Sequence, residues 1–363
     1  MYFKTFFYLL TLLIIHFPIV LFAQYDGGYF GEIYFSRPPS ARATALGKSY
    51  NAIDGDLASI FYNPAGTATL KGMELNSSFS SKYYFTNEAN FSYLSAGYNF
   101  NEFISVGFSR NHFSIGEELI LTDEHGNPIA LPNIPFHSIY SLNGSIQPIK
   151  NLLIGLNVNS LIHNLIGENM DVYYLDLGII KKFEFTTKKK NSHFINLGVS
   201  CTNVNSAVLK MELQGNQFQP ALPVIGRIGI NYTGEHTIAG LSDTLETFNW
   251  LAQVDYMNLA NSEFRGGVSV GAELLVMEIV ALRIGHHQEN VDDLGIESNF
   301  SQLNELTYGF GVQVPFYKLT NVPINFTIDY TSLPQSQYSK QPFFEVDDYS
   351  TITFRLNWMI GSK

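Results

Sequence analysis

From residue 73 onward, apolar and polar residues alternate with period two through most of the chain. In VPINFTIDYTSL, Ile324, Phe326, Ile328 and Tyr330 share one face, and Asn325, Thr327, Asp329 and Thr331 share the other. STITFRLNWMIG repeats the pattern, with Ile352, Phe354, Leu356, Trp358 and Ile360 set against Thr353, Arg355 and Asn357. Such alternation marks strands with one apolar and one polar face. It predicts fourteen strands, at residues 73–84, 90–100, 103–113, 136–147, 151–162, 171–186, 193–203, 224–233, 248–258, 265–276, 278–287, 305–317, 322–333 and 348–360. Most are about twice as long as a soluble strand and long enough to cross a bilayer at a tilt.

The connections sort by parity. Those after strands 2, 4, 6, 10 and 12 are short, whereas residues 114–135, 204–223, 288–304 and 334–347, after strands 3, 7, 11 and 13, are long. Residues 234–247 are long where a short turn is expected, and the alternation in 204–223 leaves room for further strand. A sandwich has no reason to divide its loops this way. A transmembrane barrel does, with short turns and both termini on the periplasmic side. The expected fold is therefore all-β, a 14-stranded antiparallel transmembrane β-barrel with a short N-terminal helical plug.

The faces agree. Arg227, Asp255, Glu273, Arg283, Asp329 and Arg355 fall on the inward parity, while Val224, Ile228, Ile230, Tyr232, Phe248, Trp250, Val254 and Tyr256 fall outward. Charges on the inner wall suit a hydrated lumen or a polar plug. Tyr83, Tyr98, Tyr256 and Trp358, near strand ends, fit interfacial girdles.

Residues 1–23 carry an early Lys4, an apolar run from Phe6 to Phe22 and the closing LFAQ, the pattern of a secretory signal peptide cut after Ala23. The run of about 17 residues is interrupted by His16 and Pro18, and no later window reaches the roughly 18 apolar residues of a membrane helix. Residues 24–72 form the expected plug and residues 73–363 the barrel. Without Lys4 the chain has 20 basic and 32 acidic residues, which argues against nucleic acid as a partner. One cysteine, Cys201, excludes an internal disulfide. Aromatic content of 14% with only 15% charged residues is unusual for a soluble secreted domain.

Between the leader and the first strand lie two short helix-like pieces, SARATALG and GDLASIFYN, with Ala45, Leu46, Leu57, Ile60 and Phe61. They are too apolar to stay in water and too short to fold alone. The barrel interior is the place predicted for them. The stretch SARATALGKSYNAIDGDLASIFYNPAGTATL resembles the N-terminal hatch of FadL-like outer-membrane proteins, and more closely the PorV/PorQ-type proteins of Bacteroidetes. The motif residues are Asp54, Asp56, Ser59, Asn63, Pro64, Ala65 and Gly66. GAELLVMEIVALRIGHHQEN is similar to a late hairpin of the same family.

That resemblance implies a component of the type IX secretion system of the outer membrane, which engages a translocon and the C-terminal domains of cargo. The alternative it implies is a FadL-like channel for hydrophobic small molecules. The inner-wall charges lean towards the first. The expected partner-contact loop is LILTDEHGNPIALPNIPF, where Leu119, Ile120, Leu121, Ile129, Leu131 and Ile134 stand among acidic residues.

Catalytic, cofactor and metal sites are not expected. HExxH, GxSxG and P-loop motifs are absent, and Cys201 has only His193 as a nearby histidine. His286 and His287 are adjacent in a strand and point to opposite faces, so they read as rim residues rather than a metal pair. Clustered carboxylates at Glu117, Glu118, Asp123 and Glu124, at Glu289, Asp292, Asp293 and Glu297, and at Glu345 and Asp347 could take divalent cations but read first as solvated loop charge. Lys188, Lys189 and Lys190 read as a solvated turn.

Overall fold

The computed structural model describes residues 38–83, 86–101, 103–114, 121–122, 128–129, 136–165, 168–188, 191–213, 216–219, 222–236, 248–260, 266–290, 302–320, 322–333 and 349–359. The predicted leader lies outside these residues, as do most of the long connections.

The alternating segments form fourteen strands: β1 Met73–Tyr83, β2 Thr86–Asn99, β3 Ile104–Ser114, β4 Phe136–Ile149, β5 Leu152–Leu165, β6 Glu168–Lys188, β7 Asn191–Thr202, β8 Val224–His236, β9 Phe248–Ala260, β10 Gly266–Val276, β11 Val280–Asn290, β12 Gln302–Val314, β13 Ile324–Leu333 and β14 Tyr349–Trp358. Each pairs antiparallel with its sequence neighbours, and β1 pairs with β14 from Met73↔Trp358 to Ser81↔Ser350, closing the barrel. Closure leaves no unpaired edge, so an antiparallel sheet can sit in a solvent that offers no hydrogen bonds. Among the described residues the register shifts lie at hairpin ends, between Ser81 and Tyr83, Ile146 and Ile149, and Thr186 and Lys188.

All fourteen predicted strands are present. Several boundaries shift by a few residues. The segment predicted at 305–317 spans Gln302–Val314, because Pro315 has no N–H to continue the ladder and a one-turn helix, Phe316–Leu319, follows. β2 begins at Thr86 rather than near residue 90. The long connection after β7 does hold further strand, a hairpin of Met211–Leu213 with Asn216–Phe218.

Inward and outward faces follow the predicted parity. Arg227, Asp255, Arg283 and Asp329 are buried, whereas Leu142, Ile230, Val254, Leu282, Ile284, Phe310 and Phe354 are exposed on the outer wall. Tyr256 and Trp358 are exposed there as well. The core of the molecule is thus the lumen, and what fills it is the segment that precedes β1.

The β10–β11 turn shows how tightly the short-turn side is built. Met277 and Glu278 both adopt positive φ, 53° and 54°, a conformation costing side-chain-bearing residues about 1 kcal/mol each. An Ile279 N–H to Val276 C=O bond of 2.9 Å closes the turn. Glu278 is buried and accepts from Lys318 and from the Tyr317 hydroxyl of the one-turn helix, which offsets the strain.

Candidate functional site: a plugged lumen with two unlike halves

Residues 38–72 lie within the barrel. Their helices are short: α1 Ala41–Ala45, α2 Ser59–Tyr62 and a 3-10 turn Pro64–Thr69. Ser40 caps α1 by accepting from the Ala43 N–H at 3.1 Å. Asp56 accepts from the Ala58 N–H at 2.9 Å, and Asn63 caps the 3-10 turn through Ala65 N–H at 3.1 Å, with Pro64 in the first position, where its missing N–H costs nothing.

Pieces this short leave many carbonyls without helical partners. The inner wall supplies the donors. Asn99 Nδ2 donates to Ala68 C=O at 3.1 Å, Asn143 to Pro64 C=O at 3.1 Å, Asn157 to Ile60 C=O at 2.8 Å and Asn196 to Ala52 C=O at 3.1 Å. Ser200 Oγ donates to Tyr62 C=O at 2.7 Å. In the opposite sense, Asp255 accepts from the Tyr50 and Asn51 N–H groups at 2.6 and 2.7 Å. Wall and plug together satisfy a backbone that neither could satisfy alone.

Glycines on the inward parity let that backbone reach the wall. A Cβ at Gly155 would collide with Pro64, one at Gly178 with the Asn63 side chain, and one at Gly285 with Gly47. Gly271 stands against Leu46 in the same way. Within the plug, Gly66 faces Ile53 C=O and Ser59 at 2.6 Å from where its Cβ would sit. The motif Asn63-Pro64-Ala65-Gly66 is therefore a packing element: Asn63 also donates to Asn51 C=O at 2.8 Å, and Ala65 is wholly buried.

Charge fixes the plug on the β10–β14 side. Arg42 makes a bidentate pair with Glu273, at 2.9 and 2.7 Å, and a third contact with Asp56 at 3.1 Å. Arg355 reaches Asp56 at 2.7 Å, Tyr50 Oη donates to Asp56 at 2.7 Å, and Arg283 bridges Glu273 and Asp329 at 2.5 and 2.7 Å. Burial alone would raise the Asp56 carboxyl, but the Arg355 and Arg42 guanidiniums override it and hold the carboxyl below its ordinary value. Asp54 accepts from Thr69, Lys182 and Asn196 at 2.6, 2.6 and 2.9 Å.

Of the predicted motif residues, Asp54, Asp56, Ser59, Asn63, Pro64, Ala65 and Gly66 are thus gathered in one plug, and the predicted inner-wall charges meet it. Sequence reading missed Arg42 as the plug's cation and missed the asparagine donors. The signal for the asparagines was present, since each stands on the inward parity of its strand.

On the short-turn side of the plug a polar vestibule of about 680 Å³ remains, lined by Arg42, Asp54, Lys71, Glu74, Lys182 and Glu273 among others. The loop side differs. There Ile139, Leu161, Met170, Val172, Tyr174 and Ile225 of the wall join Leu209 and Leu222 of the β7–β8 connection in one buried apolar cluster. Phe91, Tyr93 and Phe113 extend this apolar lining, with Phe113 stacked on His137 at 5.0 Å.

One correction concerns the histidines. His286 faces outward and bonds Asn304, but His287 is no rim residue: it points into the lumen, wholly buried, with Nε2 3.0 Å from Glu305 Oε2. In the expected partner loop, the backbones of Leu121–Thr122 and Pro128–Ile129 pair as two short strands, Leu121 opposite Ile129, while Leu119, Ile120, Leu131 and Ile134 lie outside the described residues. So do the loop carboxylates Glu117, Glu118, Asp123, Glu124, Asp292, Asp293, Glu297, Glu345 and Asp347, and Lys189 and Lys190. Among the described residues no group of three or more His, Cys, Asp or Glu is placed to hold a metal ion.

No family model matches the chain, and no curated relative matches it. Solved structures do. The Ralstonia pickettii toluene transporter TbuX is 11% identical, with 89% of this chain and 98% of that one covered and a TM-score of 0.46. A Pseudomonas aeruginosa FadL homologue is 7% identical, with 88% and 98% covered and a TM-score of 0.46. The monoaromatic hydrocarbon channel CymD is 11% identical, with 87% and 96% covered and a TM-score of 0.41. These identities and TM-scores are too low to carry a function. None of these structures is of the PorV or PorQ type, so that resemblance gains no support from them.

Proposed function

We propose that this chain is an outer-membrane barrel that takes up hydrophobic small molecules, with residues 24–72 as its plug and the short turns in the periplasm. The observation that carries the reading is the apolar lining just loopward of the plug, where Ile139, Leu161, Met170, Val172, Tyr174 and Ile225 face the lumen. A hydrated pore has no use for such a surface, whereas an apolar ligand gains roughly 25 cal/mol for each Å² of it that both bury. The exposed apolar outer wall supports insertion in a bilayer, and the closed ladder makes insertion affordable.

Chemistry at this site is binding and passage, with the plug as the barrier: its ion pairs to Glu273 and Arg355 must yield before anything crosses. The test is equilibrium binding of radiolabelled toluene and dodecane to the purified barrel in detergent. Saturable binding that weakens at least tenfold in Leu161→Asn and Val172→Asn is expected. Absence of binding in a barrel that still shows heat-modifiable migration overturns the reading.

The unbroken strand pairing round the wall favours a second reading, a closed scaffold of the type IX secretion system that meets a translocon and cargo through its loops. In that case Ile120→Asp with Leu131→Asp abolishes co-purification of partner proteins from the native membrane while the barrel stays inserted.

A further inference from the structure

The outer wall carries a feature that passage through the lumen does not use. Across β13, β14, β1, β2 and β3 two rows of outward side chains run side by side. One row is Phe326, Leu356, Leu75, Ala96 and Phe108, each the cross-strand partner of the next. The other, two residues loopward, is Ile328, Phe354, Ser77, Leu94 and Arg110. Ser77 and Ala96 are small where their neighbours are large, and the wall opens there into a groove of about 370 Å³ lined by Leu75, Leu94, Phe108, Phe326, Phe354 and Leu356. Leu75, Leu94, Phe108 and Phe354 are exposed, so the groove faces away from the lumen.

Arg110 ends the loopward row, at the level where the outward side chains of β2, β3 and β4 change character. Ala96, Phe108 and Leu142 form one cross-strand row, Leu94, Arg110 and Tyr140 the next, and Ser92, His112 and Ser138 the one beyond. The apolar band of this part of the wall therefore ends at Arg110. Among the described strand side chains, Arg110 and Lys181 are the two Lys or Arg residues on the outward parity, and Lys181 stands at the short-turn side, opposite Leu152. The Arg110 guanidinium lies 5.9 Å from the centre of the Tyr140 ring, but it makes no hydrogen bond or ion pair with any described residue. In a bilayer, a cation whose N–H donors are unspent is costly on the outer wall unless the lipid itself supplies the anion.

We propose that this face holds a phosphate-bearing lipid of the bilayer, with the phosphate on Arg110 and an acyl chain in the groove over Ser77 and Ala96. The inference rests on membrane insertion and not on what crosses the lumen. A guanidinium presents a planar fork that matches two phosphate oxygens at once. Ser92 and His112 border the head's place with polar groups, and the His112 Nδ1 is 2.7 Å from Ser138 Oγ. The groove gives the chain apolar contact on its flanks as well as beneath, where a flat wall offers contact on one side alone. Head site and groove are continuous, because Leu94 and Phe108 line the groove and Arg110 is the cross-strand partner of the first and two residues from the second.

The experiment loads the purified full chain in detergent with dimyristoylphosphatidate, dimyristoylglycerol or myristate, and reads retention by native mass spectrometry. Phosphatidate should be retained roughly tenfold more tightly than the diacylglycerol, and Arg110→Gln should remove that difference. Ala96→Leu, which fills the groove from outside, should weaken both two-chain lipids and leave their ratio as it is in the parent. Lys181→Gln should change neither. Heat-modifiable migration checks that each variant is a folded barrel. A phosphatidate preference that survives Arg110→Gln overturns the proposal, as does an equal loss in Lys181→Gln, which would make the attraction common to any outer-wall cation. Retention unchanged by Ala96→Leu overturns it as well. Myristate held as tightly as phosphatidate makes the occupant a free fatty acid and overturns the lipid assignment. Each of these results leaves the uptake reading standing, whereas failure of the purified chain to insert into liposomes overturns both together.

Discussion

The plug half and the loopward half of the lumen are enclosed by the same fourteen strands but are held by different forces. In the plug half, Arg42, Arg283 and Arg355 are matched to Asp56, Glu273 and Asp329, and asparagines fill the gaps between short helices. In the loopward half, the same inward positions carry Ile139, Leu161 and Val172, and cohesion comes from apolar contact. Ion pairs and directed hydrogen bonds fix one geometry and resist displacement, because a buried charge without its partner is expensive. Apolar packing tolerates rearrangement, since it has no direction. The two halves therefore differ in how readily their packing can rearrange.

The comparison breaks most sharply at Asp56. Asp56→Ala leaves Arg42 and Arg355 facing each other without the carboxylate between them, and should cost about 3–5 kcal/mol of plug anchoring. The readout is protease cleavage within residues 55–66 of the intact barrel, slow in the parent and fast in the variant.

In the loopward half, Leu161→Ala should cost about 2–4 kcal/mol of barrel stability, as a cavity in a packed apolar cluster does. Plug protection should stay as in the parent, so denaturant unfolding would move while the cleavage rate at 55–66 would not. If both move together, the two halves are one cooperative unit and the contrast fails.

Overpacking at the wall gives a smaller effect. Gly155→Ala pushes a methyl group into Pro64 and should loosen the plug by about 1–3 kcal/mol. By contrast Thr67 and Ser145, whose hydroxyls are 2.7 Å apart, should accept a disulfide as Thr67→Cys with Ser145→Cys, and the cross-link should suppress the cleavage caused by Asp56→Ala. Absence of cross-linking at that pair would mean the plug sits elsewhere.

Acid offers a graded version of the first experiment. The Asp56 carboxyl is held below its ordinary value in the folded state, so its contribution is complete above the ordinary carboxylate range and is lost as pH falls through the lowered value. The share of plug protection that Asp56 supplies should decline as pH falls below about 4. At the other extreme, Lys150 and Glu184 form an exposed pair at 3.5 Å on the short-turn rim, and Lys150→Ala should change stability by less than about 0.5 kcal/mol.

Period two is local information, so the number of strands, their faces and the inward placing of Arg227, Asp255, Glu273, Arg283, Asp329 and Arg355 were determined by the sequence itself. So was the existence of a compact piece before β1, because its apolar residues could not stay in water. Tertiary structure alone decided the partnerships. Arg42 and Glu273 are 231 positions apart, and Asp255 meets the backbone of Tyr50 across 205, distances over which no pattern in the chain specifies contact. The need for glycine at 155, 178 and 285 appears only once the plug backbone lies against the wall. The same holds for His287: its parity was legible, but its burial beside Glu305 depends on what covers it from within the lumen, and that is settled by packing in three dimensions.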